Sequence, residues 1–208
     1  MSVACHNEAV MRRAVILTGA AGSGKDTVAE AIFDEWPWSV QEGKFSAAIK
    51  DMACDLFAWD REEIDTNFQY KESIAVWPDG TPQTRHNHTR RELLQTIGTD
   101  VFRDMFDEDF WVRKLVNEIE SQPPEDPWVI SDCRFINEFE ALKELFDETL
   151  VIQLRRIGST PGGHASEREW MQIPADVTIE AASGDTDLIE EVALHHVRRF
   201  LPALDLGV

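Results

Sequence analysis

Cysteine is scarce in this sequence: Cys5, Cys54 and Cys133 are the only three in 208 residues. Three scattered thiols build neither a disulfide frame nor a zinc site, and a reducing cytoplasm is the natural compartment. Long apolar runs are also missing, since no stretch approaches the ~18 apolar residues of a membrane span. The opening MSVACHNEAVMRR has its charges after its apolar residues and no apolar h-region, so it does not read as a signal peptide. Positive charge is short as well. Twenty Lys and Arg stand against 39 Asp and Glu, leaving a net charge of −19 and a pI near 4.6. Phosphate contacts over a whole surface need a basic footprint, so stable nucleic-acid or anionic-membrane binding is disfavoured. A small anionic substrate in a local basic pocket is still compatible with that balance.

What is present is a hydrophobic fraction of 43%, enough for a sizeable core. The length suits one α/β domain and is short for two ordinary ones. Residues 1–12 read as a loose leader. Ala14–Thr18 (AVILT), Trp128–Ser131 (WVIS) and Leu150–Leu154 (LVIQL) are short apolar runs that read as buried strands, with Asp176–Ile179 as a last one. Helical spacing is expected over Thr27–Phe33, Ser46–Phe57, from Thr89 onward, Trp111–Ile119, Asn137–Phe146 and Thr186–Leu201. On Ser46–Phe57 the apolar face is Ile49, Met52, Ala53, Leu56 and Phe57. Asp60, three residues before Glu63, marks a further helix start. Thr89 with Glu92 forms a capping box, and Leu93, Leu94, Ile97, Val101 and Phe102 follow along the expected buried face. Residues 65–88 are polar, contain two prolines and carry His86 and His88, and read as a long loop. Alternating strands and helices imply a three-layer, doubly wound parallel sheet covered on both faces.

The strongest local signal is Gly19-Ala-Ala-Gly-Ser-Gly24-Lys25-Asp26-Thr27, set between an expected strand and an expected helix. Glycines let the backbone curl so that successive N–H groups converge on phosphate oxygens. The helix N-terminus adds about half a positive charge. Lys25 brings a mobile full charge to β- and γ-phosphates. Gly19, Ala21, Gly22, Ser23, Gly24, Lys25, Asp26 and Thr27 are therefore candidates for holding ATP. Asp26 stands where a Ser or Thr usually ligates Mg²⁺, and Thr27 comes one place later. This Gly-Lys-x-Thr variant resembles small-metabolite and nucleotide kinases such as adenylate kinase. It favours Mg²⁺ held through water by Asp26 or Asp132.

Several arginines fall in candidate motifs. In a doubly wound sheet the C-terminal strand ends face the ligand crevice. Arg134, after the second long strand, and Arg155 and Arg156, after the third, are placed near phosphates by that rule. Asp132 ends an apolar strand, a usual place for a metal-orienting carboxylate; an N-cap is the alternative. Residues 155–170 (RRIGSTPGGHASEREW) combine glycine hinges with basic residues on both limbs and read as a lid.

Three blocks carry a more specific likeness: Thr89-Arg-Arg-Glu-Leu-Leu-Gln-Thr-Ile-Gly-Thr-Asp100, Asp109-Phe-Trp-Val112 and Ser131-Asp-Cys-Arg-Phe-Ile-Asn-Glu138. Phe45-Ser-Ala-Ala-Ile-Lys50 and Tyr70-Lys-Glu72 fit the same pattern. Together they resemble the bacteriophage deoxynucleoside monophosphate kinases over roughly residues 14–170. The loop at 73–88 is longer and richer in histidine than that pattern, and Asp100 stands where it has glutamate. The resemblance implies one P-loop kinase domain over 1–208, with an acceptor-binding helical insertion at about 60–125 and a lid at about 155–170. It implies transfer of the γ-phosphoryl of ATP, with Mg²⁺, to a deoxynucleoside 5′-monophosphate, and a homodimer.

Roles follow for particular residues. Arg91 matches an acceptor phosphate bidentately, and Gln95 lies one turn beyond it on the same face. Gly98 and Thr99 would let backbone approach the nucleotide. Trp111 offers a face for base stacking or, equally, a core side chain. Lys71 and Arg103 are further acceptor-phosphate candidates. Lys25, Arg134 and Asp132 form the catalytic set with Arg155, which would stabilise the transferring phosphoryl. Arg156, His164, Ser166, Glu167 and Arg168 complete the lid. Two other readings stay open: another small-metabolite kinase of the dephospho-coenzyme A or phosphomevalonate type, and a non-catalytic nucleotide switch.

Overall fold

The computed structural model describes residues 11–37, 39–158 and 168–201. Residues 1–10 of the expected leader and 159–167 of the expected lid, with His164, Ser166 and Glu167, lie outside the described residues. The chain divides into two compact units, Met1–Lys44 with Leu115–Val208, and Phe45–Lys114. Among the described residues no helix is long and apolar enough to cross a membrane.

The first unit is built on five parallel strands: β1 (Arg13–Gly19), β2 (Gln41–Gly43), β3 (Trp128–Cys133), β4 (Glu148–Arg156) and β5 (Val177–Ala181). Their order is β2-β3-β1-β4-β5, so the chain leaves β1 toward one edge, returns as β3, and crosses β1 to fill the other. Ala14 through Leu17 are fully buried, as are Val129, Ile130, Ile152 and Leu154. Burial on both faces is why these strands are continuous apolar runs rather than alternating ones. On one face Val28, Ala29 and Ile32 of α1 (Lys25–Glu35) join Ile189, Ala193 and Val197 of α8 (Thr186–Phe200) over Val15, Leu17, Ile152 and Leu154. Each large aliphatic side chain removed from water there contributes about 1.5–3 kcal/mol. Leu142 of α7 (Ile136–Leu145) and Leu115 and Ile119 of α6 (Phe110–Glu120) are also buried. The result is the expected doubly wound α/β architecture.

The second unit contains α2 (Ala47–Phe57), α3 (Arg61–Thr66), α4 (Phe68–Glu72) and α5 (Arg90–Gln95). Thr89 caps α5 as expected, and its box with Glu92 is complete. The helix then widens over Thr96–Phe106 into π-type bonding, as in the Asp107 N–H donating to the Phe102 carbonyl, five residues back, at 3.0 Å. The core is Ala53, Cys54, Trp59, Ile64, Ala75 and Leu93. Because α2 supplies two of these, it belongs to this compact unit, which begins at Phe45.

Several expectations are corrected. Leu56 is 63% exposed, and Cys54 takes its place on the inner face of α2. The 65–88 stretch is not all loop. Asp60 caps α3, and the Asn67 side chain accepts the Tyr70 N–H at 3.0 Å to start α4. Strand β2 has only three residues, too few to show a period. Arg155 and Arg156 lie within β4, not after it.

Candidate active site

The phosphate loop joins β1 to α1. Gly19 has φ +145°, and a Cβ there would sit 2.3 Å from the Leu154 carbonyl oxygen of β4, so no side chain fits. Gly24 is the N-cap of α1 with φ +102° and provides no side-chain cap. The leading N–H groups of α1 thus keep the helix's positive end for an anion. Lys25 is 5% exposed; its Nζ donates to the carbonyls of Gly19 at 2.9 Å and Ala20 at 2.6 Å, with Ser23 Oγ at 3.5 Å. The ammonium is thereby fixed over the loop itself.

A cleft of about 230 Å³ opens beside this loop. Its walls are Gly22 to Thr27, Arg156, and the segment Ala181, Ala182, Gly184, Asp185, Thr186 and Ile189 that links β5 to α8. Ala21 of the loop is half-buried. The Arg156 guanidinium lies 3.7 Å from the point where a Gly22 Cβ would stand. Arg155 points elsewhere. Its Nε donates to Gln153 Oε1 at 2.8 Å, and Nη1 is 3.8 Å from Glu180 Oε1. The reason is strand alternation: Ile152, Leu154 and Arg156 share the α1–α8 face, and Gln153 and Arg155 the other. Of the two candidates, Arg156 therefore meets the phosphate loop and Arg155 does not.

Asp132 sits half-buried in β3 where the register slips, since Ile16 pairs Ile130 but Thr18 pairs Cys133. One extra β3 residue is a bulge, a common device for re-aiming side chains beside sites. The half-buried Arg134 follows. Its N–H, at 2.8 Å, and that of Phe135, at 3.0 Å, donate to Glu138 Oε2, so the buried Glu138 ties down this turn. Arg168 is exposed, just before a short 3-10 turn over Glu169–Gln172.

In the second unit the half-buried Arg91 donates through Nε to Glu72 Oε1. Its guanidinium carbon is 5.7 Å from the Phe68 ring centroid. Gln95, Lys71 and Thr99 are half-buried. Arg103 is 9% exposed and its Nη1 donates to the Glu108 carbonyl at 3.4 Å. Of the two readings of Trp111, a stacking face or a core side chain, its surroundings are those of a core side chain. It is 4% exposed, its Nε1 donates to the Gly98 carbonyl at 2.9 Å, and Phe102 and Phe110 lie at 4.8 and 4.9 Å between centroids. Gly98 is likewise a packing position, because a Cβ there would meet Ile49 Cδ1 at 2.9 Å. Trp111→Ala should accordingly cost roughly 3–5 kcal/mol of stability. Denaturant titration checks this; a stable variant with raised deoxynucleotide KM would return Trp111 to the substrate.

Residues 57–184 match the model of the family described as deoxynucleotide monophosphate kinase. The chain belongs to that family. A protein of Acanthamoeba polyphaga mimivirus named "Putative deoxynucleotide monophosphate kinase" is 31% identical over 172 residues, 76% of this chain and 81% of that one. Among solved structures, a gluconokinase from Sinorhizobium meliloti is similar at 15% identity and TM-score 0.43, covering 91% of this chain and 94% of its own. A shikimate kinase from Bacteroides thetaiotaomicron is similar at 13% identity and TM-score 0.41, covering 91% and 98%. The family match includes Arg91, Asp132 and Arg156 but begins after the phosphate loop, so the loop stands on its own geometry.

One feature beside the phosphate loop escaped the sequence reading, the wall Ala182–Thr186. Its signal was available, since it is the C-terminal end of a strand followed by a glycine and a helix start. Arg90, one of the arginines flanking the apolar helix after Thr89, is buried within the second unit, and no charge pattern distinguishes it from its neighbour. For Mg²⁺, the candidate donors are oxygens only: Asp26 and Thr27 on the cleft wall, and Asp132. Among the described residues no three His, Cys, Asp or Glu side chains are grouped to hold a metal alone. That donor set fits an ion that retains waters and is shared with substrate phosphates.

Proposed function

We propose that the protein transfers the γ-phosphoryl of ATP to a deoxynucleoside 5′-monophosphate, giving a deoxynucleoside diphosphate and ADP. The observation that carries this reading is Lys25, buried on an uncapped helix N-terminus behind a glycine loop, in a chain of this family. The donor phosphates lie on the 19–27 loop. Lys25 exchanges one of its loop contacts for a phosphate oxygen, and the cleft wall Ala181–Ile189 accepts the remainder of ATP. Mg²⁺, held through water by Asp26 and Asp132, would neutralise charge on the phosphates. Residues of the 45–114 unit, led by Arg91 with Lys71, Gln95, Thr99 and Arg103, bind the acceptor. An oxygen of the acceptor phosphate attacks the γ-phosphorus as the bond to the β–γ bridging oxygen breaks. The attacking oxygen is already anionic near neutral pH, so alignment and charge neutralisation suffice without a strong general base. Arg156 and Arg134 supply positive charge during transfer.

The test is ADP release against the four deoxynucleoside monophosphates, their ribo counterparts, dephospho-coenzyme A and phosphomevalonate. Turnover confined to nucleotides is expected. Turnover on either of the other acceptors supports the rival small-metabolite reading, and tight ATP binding with no turnover supports a switch. Within the nucleotide reading, Arg91→Ala should raise the KM for the deoxynucleotide and leave that for ATP nearly unchanged. An equal rise for both would move Arg91 to the donor side.

A further inference from the structure

Arg90 and Arg91 are neighbours in the first turn of α5 and do different things. Arg90 is 5% exposed. Its Nη1 donates to the Tyr70 carbonyl at 3.3 Å, Ser73 Oγ at 2.6 Å and the Ile74 carbonyl at 3.2 Å, and its guanidinium carbon stands 3.8 Å from the Tyr70 ring centroid. The Arg90 N–H also donates to the Ser73 carbonyl at 3.2 Å. The 70–74 turn is thus clamped to α5. Glu72 rides on that turn, and its Oε1 takes the Nε–H of Arg91. A guanidinium has two edges able to grip an anion. With Nε engaged by Glu72, the Nη1–Nη2 edge is the one presented to a second anion.

We infer that Glu72 is a positioning residue that orients Arg91 for the acceptor phosphate, on a turn held in place by Arg90. The inference rests on the reading of Arg91 as an acceptor-phosphate residue. Ordering a long side chain before the ligand arrives removes that ordering cost from binding. Two effects oppose each other here, because the Glu72 carboxylate also repels a phosphate. Preorganisation wins if removing Glu72 weakens the acceptor; repulsion wins if removal tightens it. A partly exposed pair of this kind contributes little to stability, so the kinetics read the site and not the fold.

The experiment is steady-state kinetics on the full chain with dAMP, dCMP, dGMP and dTMP in turn at saturating ATP. The variants are Glu72→Ala, Glu72→Gln, Arg91→Ala and the Glu72→Ala/Arg91→Ala pair, each checked by thermal melting. Glu72→Ala should raise the acceptor KM about tenfold, the size of coupling expected between contacting groups, with kcat and ATP KM within about twofold. Glu72→Gln should keep most of the affinity, because its amide oxygen still accepts from Nε. In the Arg91→Ala background the second change should add less than about twofold. A lowered or unchanged KM in Glu72→Ala, or a full tenfold effect persisting without Arg91, overturns the inference while leaving Arg91 in place. An unchanged KM in Arg91→Ala removes the Arg91 reading, and this inference with it.

Discussion

Lys25→Ala should lower turnover by at least ~10²-fold in a protein that stays folded, as for loss of one preorganised charge donor at about 3–4 kcal/mol. The ammonium is carried by the first residue of α1, and two of its bonds run to loop carbonyls. The same bonds raise a structural alternative, since the side chain also ties Gly19 and Ala20 together. Lys25→Met separates the two, because it keeps the aliphatic stem and removes the charge. If both variants lose turnover while the melting temperature holds, the charge is what matters. Near-wild-type turnover in either purified variant would remove the phosphate-loop assignment.

How far the sequence exposed this site depends on the kind of signal each part left. The loop at 19–27 was legible because its chemistry is carried by residue type and spacing: glycines where φ is positive, a lysine at the helix start. The sheet was legible because apolar runs such as AVILT and LVIQL are long enough to register as buried strands. Trp111 shows the opposite case. A tryptophan is as good a core side chain as a stacking surface, and only the Gly98 carbonyl at its Nε1 and the Phe102 and Phe110 rings decide between them. The choice between Arg155 and Arg156 was hidden for a related reason. In a strand buried on both faces nearly every residue of the run is apolar, so the pattern does not reveal which face the phosphate loop's helix covers. Arg90 and Arg91 are adjacent and identical in type; the turn at 70–74, folded back from far along the chain, is what gives them different partners.

Arg156→Ala should cut turnover by on the order of 10²–10³ with ATP affinity changed only a few-fold, as for a donor felt chiefly in the transition state. Arg156 is on the wall of the cleft with its guanidinium against Gly22, at the mouth of the loop that would carry the transferring phosphoryl. Arg155, read from the sequence as that donor, is drawn to Gln153 and Glu180 on the opposite face of β4. Arg155→Ala should therefore cost less than about threefold, the range of a surface change away from the chemistry. Charge that builds on the γ-phosphoryl oxygens during transfer interacts with a nearby guanidinium more strongly than the ground-state charge does. Loss of that guanidinium consequently lowers kcat before it weakens binding. Direct ATP binding and single-turnover rates on both variants measure the split. Equal loss of binding and turnover in Arg156→Ala would make the residue a ground-state clamp. A large loss in Arg155→Ala with none in Arg156→Ala would mean that the phosphoryl is transferred on the other face of β4, and the cleft beside Gly22 is not where the donor's reacting end lies.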